Sequence, residues 1–447
     1  MNPEDVRGKH ILIMGLGLHG GGAGAVEFFV RQGARVTVTD LRTRRELTPT
    51  LRALARLKGV RYVLGEHRAE DFLAADLIVK NPGVRRDSPH LKEALARGVP
   101  VTSDIAIFFA LCPAQIVGVT GTRGKSTTTY LIWQILKTKF GSRVHYGGNI
   151  RRSVLGILPE IKKDDLVVLE LSSFQLMDLT VEKKSPAVAV LTNIMRDHLN
   201  WHRGMREYTQ AKSVVFRYQH ARDVLFIPAG DDALRRLAAK APGRVSEVRL
   251  PMSLQDAVDR NLGAHYRPAA TLAVGVARHF GVAPAAIART ITAFKGLESR
   301  QHMIGTVRGV HFVDDTTATI PPATIAAIRR FRGRAGADHK LILIAGGQDK
   351  KLDFGAMIAE MKKSADAVVL LPGSATDRMM RELRSKKQEL RIKKASSMKQ
   401  AVHTAYRMAR RGDYILLSPG ATSFGLFLNE FDRGEQFARA VKALQRK

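Results

Sequence analysis

The sequence predicts an α/β protein throughout, and three observations predict it. Short runs rich in Val, Ile and Leu recur without polar alternation, the pattern of strands buried on both faces of a helix-covered parallel sheet. Each run gives way to a turn and then to a helical stretch. Two of the turns are glycine-rich and open helices, where unpaired backbone N–H groups and the helix dipole favour anions.

In chain order, strands are expected at Ile11–Met14, Val36–Thr39 and Leu77–Val79, then at Ile116–Thr120, Leu166–Glu170, Val188–Thr192 and Val224–Ile227. A last set follows at Leu341–Ala345, Val368–Leu371 and Tyr414–Leu417. Two breaks divide the series. At Cys112-Pro113-Ala114 a helical stretch ends and a new strand enters a glycine loop. Near Gly296 a helical run through Phe294 ends and one strand-like segment, Met303–Phe312, begins. For 447 residues this gives three domains, 1–111, 112–296 and 297–447, in line with about 150 residues per domain.

Composition narrows the class. Hydrophobic residues at 45% and charged residues at 25% exclude a disordered or low-complexity chain. A single cysteine, Cys112, excludes an internal disulfide and a cysteine metal cluster, and fits a reducing compartment. The start, MNPEDVRGKH, lacks the apolar core of a signal peptide. The longest apolar stretch, Ile105 to Val119, is broken by Pro113 and Gln115, short of the ~18 residues a spanning helix needs. A cytoplasmic chain without a membrane span is expected. Lys and Arg number 72 against 41 Asp and Glu, a net charge of +31, which favours anionic ligands. The cations are scattered, and the densest run, Arg384 to Lys399, reads as helix and surface loop. A solvated face is therefore expected there, and no specific nucleic-acid partner.

The first glycine loop is Gly15-Leu16-Gly17-Leu18-His19-Gly20, directly after a strand, with Asp40 ending the next strand. This is a Rossmann-type fingerprint: the glycines admit a pyrophosphate and the acid accepts from a ribose hydroxyl. A tight turn without ligand is the alternative, and the glycines do not specify the nucleotide. The second loop is Gly121-Thr122-Arg123-Gly124-Lys125-Ser126, followed by Thr127 and an apolar helix. It departs from strict GxxxxGK[ST] spacing but keeps its physics. Successive N–H groups form an anion nest, Lys125 reaches the outer phosphates of ATP, and the Ser126 hydroxyl sits on Mg²⁺. Two nucleotide loops on separate domains fit an ATP-driven ligase or kinase whose other substrate carries a nucleotide.

Beyond these loops the sequence resembles the Mur ligase family. Thr120-Gly-Thr-Arg-Gly-Lys-Ser126 is similar to its ATP loop. In order follow Asn81-Pro-Gly83, Gly147-Gly-Asn149, Glu170-Leu-Ser-Ser-Phe-Gln175, Thr192-Asn193 with Asp197-His198, and Tyr208-Thr-Gln-Ala-Lys212. The series ends with Asp315-Thr-Thr-Ala-Thr319, Gly346-Gly347 with Lys350, and Ser418-Pro-Gly-Ala-Thr-Ser423 through Arg433-Gly434. The resemblance is strongest to the branch that adds D-glutamate to UDP-N-acetylmuramoyl-L-alanine.

The resemblance implies an N-terminal Rossmann-like domain for UDP, a central P-loop ATP-binding α/β domain and a C-terminal Rossmann-like domain for the amino acid. It implies a monomer and an acyl-phosphate reaction. UDP-substrate contacts fall to Gly15, Leu16, Gly17, Leu18, His19, Gly20, Asp40, Leu41, Arg42, Asn81, Gly83, Asn149 and Ser172. ATP contacts fall to Gly121 through Thr127, with Arg300 and Asp315. D-Glutamate falls to Thr319, Lys350, Ser423 and Phe424. The catalytic set is Lys125, Glu170, His198 and Lys212. Magnesium falls to Ser126, Glu170, His198 and Lys212, the last if carbamylated. Glu170 also stands on its own residues, because a carboxylate at a strand's C-terminal end faces the ligand crevice of an α/β sheet. The roles of His198 and Lys212 come from the resemblance alone. Magnesium rarely takes histidine, and a helix lysine is ordinarily solvated. The shared site implies that the domains close before chemistry, excluding water from the acyl phosphate.

Three departures stand out. The family's Asp-Ser-Lys-Ala-Thr-Asn has Thr317 in place of lysine, removing a cation beside the amino-acid carboxylates. His-Asn-x-x-Asn reads His265-Tyr266-Arg-Pro-Ala269, so both asparagines expected near adenine are missing. Asn200 stands where aspartate is more common. Another ligase of the superfamily, a folylpolyglutamate synthase, an inactive nucleotide- or nucleic-acid-binding relative and a dehydrogenase are the competing readings. The folate enzyme does not need the Gly15–Asp40 unit, and a dehydrogenase does not need the second loop.

Overall fold

The structure is a computed structural model that describes residues 3–18, 20–150, 152–199, 201–350, 352–384, 390–423 and 425–445. It divides into two compact units, Met1–Phe294 and Lys295–Lys447.

The first unit holds two parallel sheets. β1 (His10–Met14), β2 (Arg35–Asp40), β3 (Val60–Leu64), β4 (Leu77–Lys80) and β5 (Val101–Ser103) form one, in the order β3-β2-β1-β4-β5. The order reverses between β1 and β4, and ligands of open α/β sheets bind at such a switch point. The first glycine loop leaves β1 there and Asn81 leaves β4 beside it. β6 (Gln115–Thr120), β7 (Val144–Gly148), β8 (Leu166–Glu170), β9 (Val188–Leu191), β10 (Val224–Pro228) and β11 (Arg244–Val248) form the second sheet, ordered β11-β10-β9-β6-β8-β7. The phosphate loop leaves its central strand, β6, and Glu170 ends the neighbouring β8 in register with Val119.

One hydrophobic core runs through both sheets. Phe29 and Phe108 of the first belong to the same buried cluster as Leu155, Leu176 and Leu191 of the second. Helix Gly21–Arg31 approaches the start of helix Val154–Ile157 so closely that a Cβ on Gly24 would lie 1.9 Å from Ser153 Oγ and 2.3 Å from its Cβ. Lys80, at the end of β4, is buried in an ion pair with Asp178 of helix Ser173–Glu182 (2.8 Å), and Arg86 reaches the same carboxylate at 3.3 Å. A buried pair of this kind is weak evidence for stability in itself, but breaking it strands a charge.

The second unit is one sheet of six strands: β12 (His302–Val307), β13 (Val310–Asp314), β14 (Leu341–Gly346), β15 (Ala367–Leu371), β16 (Arg391–Lys394) and β17 (Tyr414–Leu417), ordered β12-β13-β17-β14-β15-β16. The segment Met303–Phe312, read from the sequence as one strand, is the antiparallel hairpin β12–β13. It turns at Arg308 and Gly309, both with positive φ. The rest of this sheet is parallel. The basic stretch 384–399, read as helix and loop, contains β16, whose Arg391, Lys393 and Lys394 are exposed.

The Gly24–Ser153 contact is tight enough to test. Gly24→Ala is expected to destabilise the chain by about 1–3 kcal/mol through overpacking, measured by urea unfolding. Ser153→Gly in the same chain should recover part of that loss, giving clear non-additivity.

Candidate nucleotide and ligation site

The first glycine loop is shaped by Asp40. Its Oδ2 accepts from the backbone N–H of Leu16 (2.9 Å) and Gly17 (3.1 Å), and its Oδ1 from that of Arg42 (2.9 Å). Gly15, Gly17 and Gly20 all have positive φ, the region glycine enters without strain. Gly20 caps helix Gly21–Arg31. The carboxylate expected to hold a ribose is thus first an organiser of the loop, with part of its acceptor capacity left over. Leu41 beside it is 66% exposed. Arg42 holds its guanidinium 3.7 Å from Asp40. Asn81 packs at Gly15 and accepts from Gly83 N–H through Oδ1 (3.2 Å). Leu18 is half-buried beside them. His19 lies outside the described residues.

The phosphate loop is braced from β9. Thr192 Oγ1 donates to Arg123 O (2.6 Å), Asn193 O accepts from Thr122 N–H (2.9 Å), and Asn193 Oδ1 accepts from Arg123 N–H (2.9 Å). Gly121 is required here. Its φ is 148°, and a Cβ would lie 1.9 Å from Thr192 Oγ1. Gly124 caps helix Lys125–Phe140, which puts Lys125, Ser126 and Thr127 at its first turn. Lys125 Nζ donates to Thr122 O at 3.1 Å.

Two other sequence-predicted residues meet at Glu170. Ser126 Oγ donates to its Oε2 (2.5 Å), and Asn149 Nδ2 donates to its Oε1 (3.1 Å). Glu170 is 2% exposed. Gly148 makes this approach possible, because a Cβ there would lie 2.2 Å from Glu170 O. Ser172, assigned from the resemblance to the UDP substrate, forms a capping box with Gln175 at the start of helix Ser173–Glu182.

Lys212 departs most from the ordinary reading of a helix lysine. It is 1% exposed and donates to Gly121 O at 2.7 Å, with its ammonium 4.8 Å from the centre of the Tyr208 ring. Burial first, and then the Lys125 charge, hold its amine well below the usual lysine range, against the pull of Asp197 and Glu170. Tyr208 shares a hydrogen bond with Thr122 Oγ1 (3.1 Å) and its phenol is pushed up to about 12, chiefly by burial. His198 adopts φ 53°, rare for a non-glycine residue. Its Nε2 lies 3.6 Å from Asp197, whose carboxylate also lies 3.4 Å from Arg123.

The fit to magnesium is uneven. Ser126 and Glu170 offer hydroxyl and carboxylate oxygens in direct contact, the donors this ion prefers. His198 and Lys212 form no ready second site: the Lys212 nitrogen is spent on Gly121. Among the described residues no three His, Cys, Asp or Glu side chains are grouped to hold a metal.

In the second unit Asp315 is buried. It accepts from Ser418 Oγ (2.7 Å) and Gln301 N–H (3.1 Å), and burial raises its carboxyl to about 7. Thr319 follows on the same loop, its N–H on Thr317 O. Thr317, standing where the family has lysine, gives its hydroxyl to Ser299 O (2.8 Å). Gln348 and Thr422 exchange backbone hydrogen bonds, which draws the Lys350 and Ser423 loops together. Arg300 donates its N–H to Leu297 O. Phe424 and Asn200 lie outside the described residues. Arg433, matched in sequence but given no role there, is fully buried and bonds Thr316 O (2.7 Å), Thr316 Oγ1 (3.1 Å) and Ala421 O (3.1 Å). The RG pair was its only signal.

Three domain comparisons cover most of the chain: the Mur ligase MurD-like N-terminal domain at residues 9–103, the Mur ligase middle domain at 119–265, and the Mur ligase glutamate ligase domain at 299–420. The UDP-N-acetylmuramoylalanine–D-glutamate ligase of a Roseiflexus species is 40% identical over 98% of this chain and 99% of its own. That of Acetivibrio thermocellus is 35% identical over 99% and 98%. The fold is shared with UDP-N-acetylmuramate-alanine ligase MurC of Thermotoga maritima (TM-score 0.65, 18% identity, 97% of this chain and 99% of that one). It is also shared with MurF ligase of the same organism in complex with ADP (TM-score 0.57, 15% identity, 99% and 97%). The chain therefore belongs to the Mur ligase family.

Asp315 gives a pH test. Folded, its carboxyl keeps its proton up to about 7, against 3.8 unfolded. The folded state binds the extra proton between those values, so this contribution to stability is complete below about 3.8 and lost as pH rises through 7. Asp315→Asn removes the titration. Wild type should therefore lose more unfolding free energy than the variant between pH 4 and 7, by at most about 4 kcal/mol, measured by urea unfolding across that range.

Proposed function

We propose that this chain is an ATP-dependent, ADP-forming ligase that joins D-glutamate to UDP-N-acetylmuramoyl-L-alanine during peptidoglycan synthesis, in the cytoplasm where both nucleotides are available. The observation that carries the reading is the meeting of the phosphate-loop hydroxyl Ser126 and of Asn149 on the buried carboxylate Glu170. It joins the ATP loop to a residue assigned to the acyl substrate. The similarity to D-glutamate ligases over nearly the whole chain supports it.

The first step is attack by the alanyl carboxylate on the γ-phosphate, which releases ADP and leaves an acyl phosphate. Two anions must meet, so positioning and charge neutralisation decide the rate. The N–H groups of Gly121 through Thr127 cradle the phosphates. Lys125 exchanges its contact with Thr122 O for the outer phosphate oxygens. Mg²⁺ held by Ser126 and Glu170 would supply the remaining neutralisation. Lys212, buried and within the electrostatic influence of Glu170 and Asp197, is placed for carbamylation: attack of its amine on CO2 with loss of a proton would give an anionic carbamate, whose oxygens would join Ser126 and Glu170 in holding Mg²⁺. Attack by the D-glutamate amine then forms the amide and expels phosphate. Thr319, Lys350 and Ser423 supply hydroxyls and a cation for its carboxylates. With Thr317 committed to Ser299, Lys350 carries more of that charge recognition than in relatives with lysine at this position.

Phosphate release from Mg·ATP and UDP-N-acetylmuramoyl-L-alanine should require D-glutamate and fall at least about a hundredfold in Lys125→Ala, the scale of losing one electrostatic stabiliser. Release with a different amino acid would move the chain to another branch of the family. No release from folded protein would defeat the reading.

A further inference from the structure

A set of contacts unused by the chemistry above joins the two glycine loops. We infer that Arg85 and Trp201 are positioning residues that couple nucleotide binding at the first glycine loop to nucleotide binding at the phosphate loop, a coupling that presupposes the two nucleotide sites proposed above.

The connection is continuous. Asn81 N–H donates to Met14 O (2.8 Å) at the root of the first loop, and a Cβ on Gly15 would lie 2.9 Å from Asn81 Cβ. Asn81 holds Gly83, and Gly83 O accepts from the Trp201 indole N–H (3.2 Å). Arg85 donates to Trp201 O (2.6 Å) and stands 5.4 Å above the centre of its ring. Asp87 fixes the guanidinium through two bonds, 2.8 and 2.7 Å. From Trp201 the path turns inward. The N–H groups of Trp201 and His202 both donate to His198 O (3.0 Å each). His198 N–H donates to Asp197 Oδ1 (2.9 Å), and Asp197 lies 3.4 Å from Arg123 of the phosphate loop. Phe174 fills the middle, with the rings of His198, Trp201 and His202 at 5.1, 4.7 and 5.6 Å.

His198 sits in the left-handed region at φ 53°. A side chain holds that conformation only where its surroundings over-determine it. The clasp on Trp201 is part of those surroundings, and its far end rests on the first glycine loop. A ligand that orders Asn81–Arg86 therefore orders Asp197, His198 and Trp201, so a second ligand at Arg123 has less ordering left to do. The effect is reciprocal by thermodynamic necessity.

Calorimetric titration of the full chain with Mg·AMP-PNP, with and without saturating UDP, tests this. UDP lacks the alanyl carboxylate, so any effect it has on AMP-PNP passes through the protein. UDP should tighten AMP-PNP binding at least about fivefold in the parent, the lower end of ordinary coupling. Trp201→Phe keeps an aromatic ring against Phe174 while deleting the indole N–H and part of the ring area, and Arg85→Gln removes the cation. Each alone should weaken the coupling, and the double variant should reduce it below about twofold with AMP-PNP affinity in the absence of UDP unchanged. Thermal unfolding midpoints confirm that the variants compared are folded, and Trp201→Phe stands alone if Arg85→Gln is not. A parent that binds both ligands independently, or folded variants that keep full coupling, would overturn the coupling alone. A parent that binds AMP-PNP but no UDP would overturn the functional reading and the coupling together.

Discussion

The space left by the missing side chain of Gly121 is the constraint on which the first unit's chemistry depends. Thr192 occupies that space from β9, so the phosphate loop is held by a neighbouring strand as well as by its own helix. The carbonyl of the same residue is the hydrogen-bond partner of the buried Lys212. One backbone position thus sets the loop's curvature, its brace and the location of the amine. Glu170 is fixed by an analogous device, since Gly148 admits its main chain at 2.2 Å from where a Cβ would stand. The acid and the loop are consequently placed by backbone packing, which shifts less than side-chain rotamers do.

Much of this architecture was legible, and what was missed has a common cause. Every strand in the interior of the first two sheets stood out as a Val-, Ile- or Leu-rich run, although β2 interleaves its valines with threonines. The strands that escaped, β3, β5, β7 and β11 there and β16 in the third sheet, are the edges. An edge strand is less covered, and Arg244–Val248 and Arg391–Lys394 are mostly exposed and rich in charged residues, so a search for continuous hydrophobicity passes over them. The β12–β13 hairpin was missed for a related reason: its turn at Arg308-Gly309 is two residues long and the flanking segments read as one.

The site shows the same division. Glycine loops, Lys125, Ser126 and Glu170 announce themselves by type and spacing. Lys212 does not, because burial is a property of what packs over a helix and not of the helix's own sequence. Nor do Thr192 and Asn193, whose work is to hold another segment's backbone. Asp40 was found for a ligand contact, and the structure gives it a prior occupation: three backbone N–H groups already converge on its two oxygens.

The basic edge strand β16 has a consequence for how the molecule behaves in a crowd. An edge presents unpaired N–H and C=O groups to any passing extended chain. Here that row is lined by exposed Arg391, Lys393 and Lys394, on a chain already carrying +31. A second copy approaching edge to edge would bring like charge against like charge before a single backbone bond could form. The cations on this edge therefore oppose its pairing with a like strand of a second copy, one of the ways in which edge strands are kept from uncontrolled pairing.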